Sequence, residues 1–215
     1  MLGFSLNLGY NLDKVGGERV IPEGRRAAQR ARMRARLQTA ALDLFARNGY
    51  EATTIGQIAE AADVARQTVL NHYPHKRDFL RAWGQQRRDQ ATGFLAGQAQ
   101  PGEPARAQLH RYFAALAQMN ERERARTQVL YLALRHDEVL AHERPVPPAV
   151  LDAIRRGQQH GEFDTRADPA QAAEVLTAVY FDTLTRWLTE PGPPSGLAPV
   201  LASKLDLMLD GLAVP

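Results

Sequence analysis

The chain has 215 residues, no cysteine and a formal net charge of +3. That length holds one or two domains with a substantial core, and the missing thiols exclude a disulfide framework, a thiol nucleophile and a cysteine-ligated zinc site. No stretch approaches the roughly 18 continuous apolar residues of a membrane span, and the opening residues lack the charged start of a secretion signal, so a soluble cytoplasmic protein is expected.

Residues 1–24 carry glycine, asparagine and charge without periodicity and are expected to form a mobile extension, with Met33 as a late alternative start. Six arginines follow with no acid among them: Arg25, Arg26, Arg30, Arg32, Arg34 and Arg36. Such a run is a solvated helix start or a phosphate-attracting arm, since neutralised phosphates release counterions and give sequence-independent affinity. A first helix is expected over 25–48, with Leu37, Ala41, Leu44 and Phe45 on one face. Gly49 ends it, and Tyr50 can fold back on the last turn.

The stretch 53–80, TTIGQIAEAADVARQTVLNHYPHKRDFL, is the most informative of the chain. Thr54 and Gln57, three apart, form a capping box that starts a helix. Ile58, Ala59 and Ala62 face inward, and Asp63 stands where the chain must turn, a position tolerant of left-handed angles. Val64 and Val69 fill the gap between two helices, while Arg66, Gln67, Thr68 and Asn71 stay outward. This is a helix-turn-helix pattern, spanning about 54–73, whose second helix lies in the major groove with its first residues on base edges. Tyr73-Pro74 closes that helix, because proline disfavours helical angles in the residue before it.

A fourth helix is expected over 75–98, with Phe79, Leu80, Trp83, Phe94 and Leu95 as its apolar positions. The loop PGEP at 101–104 leads to a helix over 105–120 carrying Leu109, Tyr112, Phe113, Leu116 and Met119. Residues 121–140 are expected to form one further helix, whose centre VLYLAL is apolar all round and therefore buried. After RPVPP at 144–148 a helix runs over 149–160 and stops at Gly161. Asp168-Pro169 combines an N-cap with a first-turn proline and begins a helix reaching Thr189. PGPPSG at 191–196 separates it from the last helix, 197–212, with Leu197, Leu201, Leu205, Met208 and Leu212 on one stripe. No segment alternates as a strand would, and no repeat is present. The chain is expected to be all-α.

The pattern RARLQTAALDLFARNGYEATTIGQIA followed by VARQTVLNHYPHKRDFL resembles the TetR family of one-component transcriptional regulators. Residues 40–45, Asn48-Gly49-Tyr50, Thr53-Thr54, Ile58-Ala59, Val64, Thr68, Tyr73 and Lys76 fall where that family places such residues. The resemblance covers the N-terminal domain, about 25–80. It implies about nine helices, with a ligand-binding and dimerisation domain over 81–215. It further implies a homodimer on a near-palindromic double-stranded operator, a fourth helix that carries allosteric displacement, and a mostly apolar pocket for a small-molecule effector. Two departures stand out. Gln67 replaces a frequent glycine or proline, and Leu70 replaces an aromatic residue, so one backbone contact is lost or replaced by a thymine-methyl contact.

Arginine suits guanine, glutamine and asparagine suit adenine, and threonine offers a hydroxyl and a methyl. Arg66, Gln67, Thr68 and Asn71 are thus the base-reading candidates, against the plainer reading of a solvated polar face. Thr54 and Lys76, at helix starts, and His72 are candidates for phosphate. His72 and His75 form an HxxH pair that lacks a third ligand, so no metal and no cofactor are expected. Asp137, Glu138 and Asp164 have neither a nucleophile nor a glycine loop as partner, so no catalytic residue is assigned. Tyr112, Met119, Tyr131 and Trp187 are candidates to line the pocket, though each alone reads as core. The family's dimer arrangement points to Leu201, Leu205 and Met208 on the last helix, with Leu201 and Leu205 buried between subunits rather than within one. A ligand-free architectural protein or activator, and a helical enzyme or lipid carrier, are the alternatives from other classes.

Overall fold

The structure, a computed structural model, describes residues 23–97, 102–143, 145–190 and 196–213. Expectations for residues 1–22, and for the loops at 98–101 and 191–195, lie outside these. Nine α-helices and one 3₁₀ turn make up the described residues. They are α1 (Glu23–Asn48), α2 (Ile55–Ala61), α3 (Arg66–His72), α4 (Arg77–Gly97), α5 (Ala105–Arg122), α6 (Arg124–His136), the 3₁₀ turn Leu140–His142, α7 (Pro148–Gln159), α8 (Pro169–Thr189) and α9 (Leu197–Asp210). Glu23 and Gly24, read from sequence as part of the extension, already belong to α1.

The N-terminal unit is built around one apolar face of α1. Leu37, Ala41 and Phe45 are fully buried, together with Ile58, Val69, Phe79 and Leu80 from the next three helices. Gly49, at φ 85°, ends α1 in the left-handed region that glycine occupies at no steric cost. At the start of α2 the Thr54 hydroxyl accepts from the Gln57 amide at 3.2 Å. The Gln57 carboxamide in turn accepts from the Thr54 amide at 2.8 Å, so two otherwise orphaned donors are satisfied. Asp63 takes φ 48°, the one described non-glycine residue with positive φ, and turns the chain from α2 towards α3. Tyr73 closes α3 and stacks on Phe79 at 4.0 Å between ring centroids, which fixes the end of α3 against α4.

In the C-terminal unit α5 is central, packed by α4, α7 and α9, while α8 lies against α7 and α9. Asp168 caps α8 by accepting from the Ala170 amide at 2.8 Å, ahead of Pro169 in the first turn. Two expectations need correction. The segment 121–140 is not one helix: α5 continues to Arg122, the chain breaks at Glu123, and α6 ends at His136. The Asp137 carboxylate there accepts from the Val139 and Leu140 amides at 3.0 Å each, which diverts the chain into the 3₁₀ turn. Nor is the centre of α6 buried all round. Leu130 and Tyr131 are buried, whereas Val129, Leu132, Ala133 and Leu134 are half-buried, because α1, α4 and α5 cover only one side.

The last helix is also packed differently. Leu201 and Leu205, expected between subunits, are each 1% exposed within the single protomer. Leu197, Leu201, Leu205 and Leu209 form an i, i+4 row turned onto α5 and α8, which leaves Met208 and Leu212 half-buried beside it.

The turn residue gives a direct test. An L-residue in the left-handed region costs about 1–2 kcal/mol unless a short polar side chain relieves it. Asp63→Gly should keep or slightly raise the melting temperature, and Asp63→Val should lower stability by about that amount in chemical denaturation.

Candidate nucleic-acid interface and ligand cavity

α3 presents Arg66, Gln67 and Asn71 to solvent, with Thr68 and Leu70 half-buried and Val69 fully buried beneath them. The Gln67 carboxamide donates to the Asn71 side-chain oxygen at 3.0 Å, so the two adenine-reading candidates are held as a pair. An open groove of about 420 Å³ lies between the start of α1 and α3, walled by Arg26, Gln29, Arg30, Thr68, Asn71 and His72. Arg26 and Arg30, one helical turn apart, thus stand beside the polar face of α3. A duplex lying against α3 would meet cationic groups and base-reading groups together.

Two other arginines of the basic run serve the fold. Arg34 donates to the His72 carbonyl at 2.7 Å and lies 4.4 Å over the Tyr73 ring. Arg36 reaches the Asp63 carbonyl at 3.5 Å and its carboxylate at 3.7 Å. Both clamp the helix-turn-helix onto α1. His72 lies on the groove wall with Nδ1 buried and without a partner. Burial, then Arg30 and Arg34, push its pKa below the usual histidine value.

Lys76 is placed inward. Its ammonium donates to the Tyr50 carbonyl at 2.8 Å and the Glu51 carbonyl at 3.3 Å, and sits 4.2 Å over the Tyr50 ring. It therefore ties the start of α4 to the loop after α1. Burial, helped by Asp137 and Glu51, pushes the Tyr50 hydroxyl up to about 12. Thr54 is exposed at the start of α2, its hydroxyl engaged in the cap.

The C-terminal unit contains a small, mainly apolar cavity of about 60 Å³ among α4, α5, α6 and α8. Phe113, Leu116, Leu134, Phe181 and Leu184 supply most of its apolar wall. Its polar groups are Arg87 and Arg88 of α4, Asn120 of α5, Tyr131 of α6, and Thr177 and Tyr180 of α8. Asn120, 1% exposed, donates to the Tyr180 hydroxyl at 2.9 Å, and burial pushes that phenol up to about 12. The Tyr131 hydroxyl lies 2.8 Å from that of Thr185. Of the four sequence candidates the structure brings Tyr131 to this wall. Tyr112 is buried against Phe113 outside it, and Trp187 lies under the Arg124 guanidinium at 4.9 Å. Met119 faces a separate open cleft of about 400 Å³ between α1, α4 and α5, whose wall includes Trp83 and Arg87 as well. Sequence reasoning missed Gly84, Arg87, Arg88 and Asn120. The one available signal was a glycine in mid-helix, where it costs about 0.5–1 kcal/mol against alanine.

Residues 37–83 match the family model for bacterial regulatory proteins of the tetR family. Over that stretch the chain is similar to the N-terminal, DNA-binding domain of that family. Among solved structures it is similar to the TetR-family repressor FadR of Thermus thermophilus in complex with lauroyl-CoA. That likeness has 28% identity and a TM-score of 0.66, over 85% of this chain and 96% of that one. FadR of Bacillus subtilis in complex with stearoyl-CoA has the same TM-score at 20% identity, over 83% and 98%. RolR in complex with resorcinol gives 0.63 at 19%, over 88% and 91%. No protein of curated function matches the chain in sequence. The matched stretch contains the helix-turn-helix of α2 and α3, and no helix among the described residues is long and apolar enough to cross a membrane.

The placements separate two kinds of variant. Asn71→Ala should leave the melting temperature unchanged and weaken specific DNA binding by about 1–3 kcal/mol in quantitative gel shifts. Lys76→Ala, which removes a charged donor from two carbonyls, should lower stability by about 1.5–3 kcal/mol in denaturation.

Proposed function

We propose that this TetR-family regulator is a repressor that binds a near-palindromic operator as a homodimer and is released when a small molecule enters the cavity among α4, α5, α6 and α8. The observation that carries the reading is the double role of α4. Phe79 and Leu80, near its start, are buried with α1 in the DNA-binding unit, and Gly84, Arg87 and Arg88, two turns on, wall the cavity. One rigid rod therefore belongs to both units. A cavity of about 60 Å³ is smaller than the roughly 150 Å³ that accepts a benzene ring. Any ring- or chain-sized effector must open it by displacing a wall. Such a ligand has the differential affinity for two states without which it can shift no equilibrium. Recognition helices must sit roughly 34–36 Å apart to enter successive major grooves, so a small rotation of α4 is enough to misplace them. The lauroyl-CoA complex of the Thermus thermophilus repressor supports a ligand-responsive reading. The tightness of the cavity is the one observation that favours the second reading, a DNA-binding regulator without a ligand.

The dimer face is read from what α8 and α9 leave uncovered. Of five large apolar side chains exposed among the described residues, three lie on these helices: Val175, Val200 and Leu207, the last 68% exposed. Lys204 bonds Asp182 at 3.2 Å across the same face, which places Val175 and Leu207 on one surface with the half-buried Val179 and Met208. Two copies joined there form a four-helix bundle with an isologous interface. The dimer role thus passes from Leu201 and Leu205 to their outward neighbours, with Met208 at the edge.

Light scattering with circular dichroism checks this assembly. Leu207→Glu should give a folded monomer, whereas Leu205→Glu should lose the C-terminal fold, because it buries an unpaired charge at a cost of several kcal/mol. A dimeric Leu207→Glu would place the interface elsewhere. For the switch, Gly84→Leu fills the cavity and removes a helix-weakening glycine. It should keep operator affinity and lose any ligand-induced release in gel shift; retained release would exclude this cavity.

A further inference from the structure

The charge in the cavity wall is unbalanced. Arg87 and Arg88 both line it, and no aspartate or glutamate does. Arg87 is 8% exposed; one end of its guanidinium pairs with Glu123 at 2.6 Å, while its Nε is buried without a partner. Arg88 donates to the Gln85 carboxamide at 2.7 Å and pairs with no carboxylate among the described residues. The nearest acids are engaged elsewhere: Asp89 accepts from Gln85 at 2.7 Å, and Glu143 is gripped by both ends of Arg81 at 2.6 and 3.0 Å. Burial works against the charge of Arg88, yet a guanidinium does not give up its proton in a protein. Gly84 leaves the space that guanidinium occupies, since a Cβ there would stand 3.4 Å from Arg88 Nη1. The remaining polar groups of the wall, Asn120, Tyr131, Thr177 and Tyr180, are neutral.

Two adjacent cations against a low-dielectric cavity are costly until an anion enters, and a planar guanidinium matches a carboxylate in geometry as well as charge. The walls opposite are hydrocarbon and aromatic, from Phe113, Leu116 and Leu184. We propose that the cavity selects a compact organic carboxylate, its charged end on Arg88 and the free edge of Arg87 and its apolar body among α5, α6 and α8. This deepens, and rests on, the reading of the cavity as the effector site. A cation is repelled by the same pair, and a neutral molecule leaves the Arg88 guanidinium without a counter-charge.

The test is calorimetric titration of the full-length protein with benzoate, phenylacetate, hexanoate and decanoate. Each is compared with its primary amide, and decanoate also with its CoA thioester. At least one carboxylate should bind about tenfold or more tightly than its amide, the worth of one charge-assisted hydrogen bond. Arg88→Gln should erase that preference by weakening the acid and not the amide, and Arg88→Lys should restore part of it; thermal melting confirms that both variants are folded. The proposal is overturned if no acid outbinds its amide, if only the thioester binds, or if folded Arg88→Gln keeps the preference. Operator release is read in parallel by gel shift. A carboxylate preference without release upholds the ligand class and refutes effector control of DNA binding, whereas release by an amide as strong as by its acid does the reverse.

Discussion

The structure depends on one constraint, that α4 is a single helix serving two cores. Its first turns stand on the DNA-binding unit, where Phe79 stacks on Tyr73 at the end of the recognition helix. Lys76, just before its first turn, is anchored on the Tyr50 and Glu51 carbonyls. Two turns further on the same helix walls the cavity, and Arg87 links it to Glu123 at the break between α5 and α6. A helix transmits displacement along its axis because its backbone bonds resist bending in the absence of proline or an inserted side chain. In the proposed switch, movement at Arg87 and movement at Tyr73 are one event.

The charges of the N-terminal unit divide between holding that unit together and facing its partner. Arg34, Arg36 and Lys76 each bond main-chain carbonyls across the helix-turn-helix, so their removal acts on folding first. Arg26 and Arg30 border the groove beside Thr68 and Asn71 and make no comparable bond among the described residues. In the proposed complex they would supply the salt-dependent share of DNA affinity, and the paired amides of Gln67 and Asn71 the discrimination.

What was legible in the sequence is what chemistry fixes locally. The Thr54 and Gln57 cap, the left-handed Asp63 turn, the Gly49 stop and the Asp168-Pro169 start each involve residues within four positions of one another, and all have the expected geometry. The three-dimensional partners of a helical stripe are not local. The leucine row of α9 was readable as apolar, but not that α5 and α8 would consume it inside one protomer and leave Val175 and Leu207 outside. Nothing local in the sequence marks Arg87 and Arg88, and only the side chains that α5, α6 and α8 bring opposite that turn make them a cavity wall. The bonds of Lys76 were not readable, because the Tyr50 carbonyl that accepts from it lies 26 positions earlier.

The central claim is that cavity and recognition helix are coupled through α4, and coupling between two equilibria is reciprocal. The direct measurement is the affinity of the tightest-binding carboxylate for the free protein and for the protein saturated with operator DNA, set beside operator affinity with and without that carboxylate. The account predicts that both affinities fall and by the same factor. A carboxylate that binds operator-saturated protein as tightly as free protein would show that α4 carries nothing between the two sites.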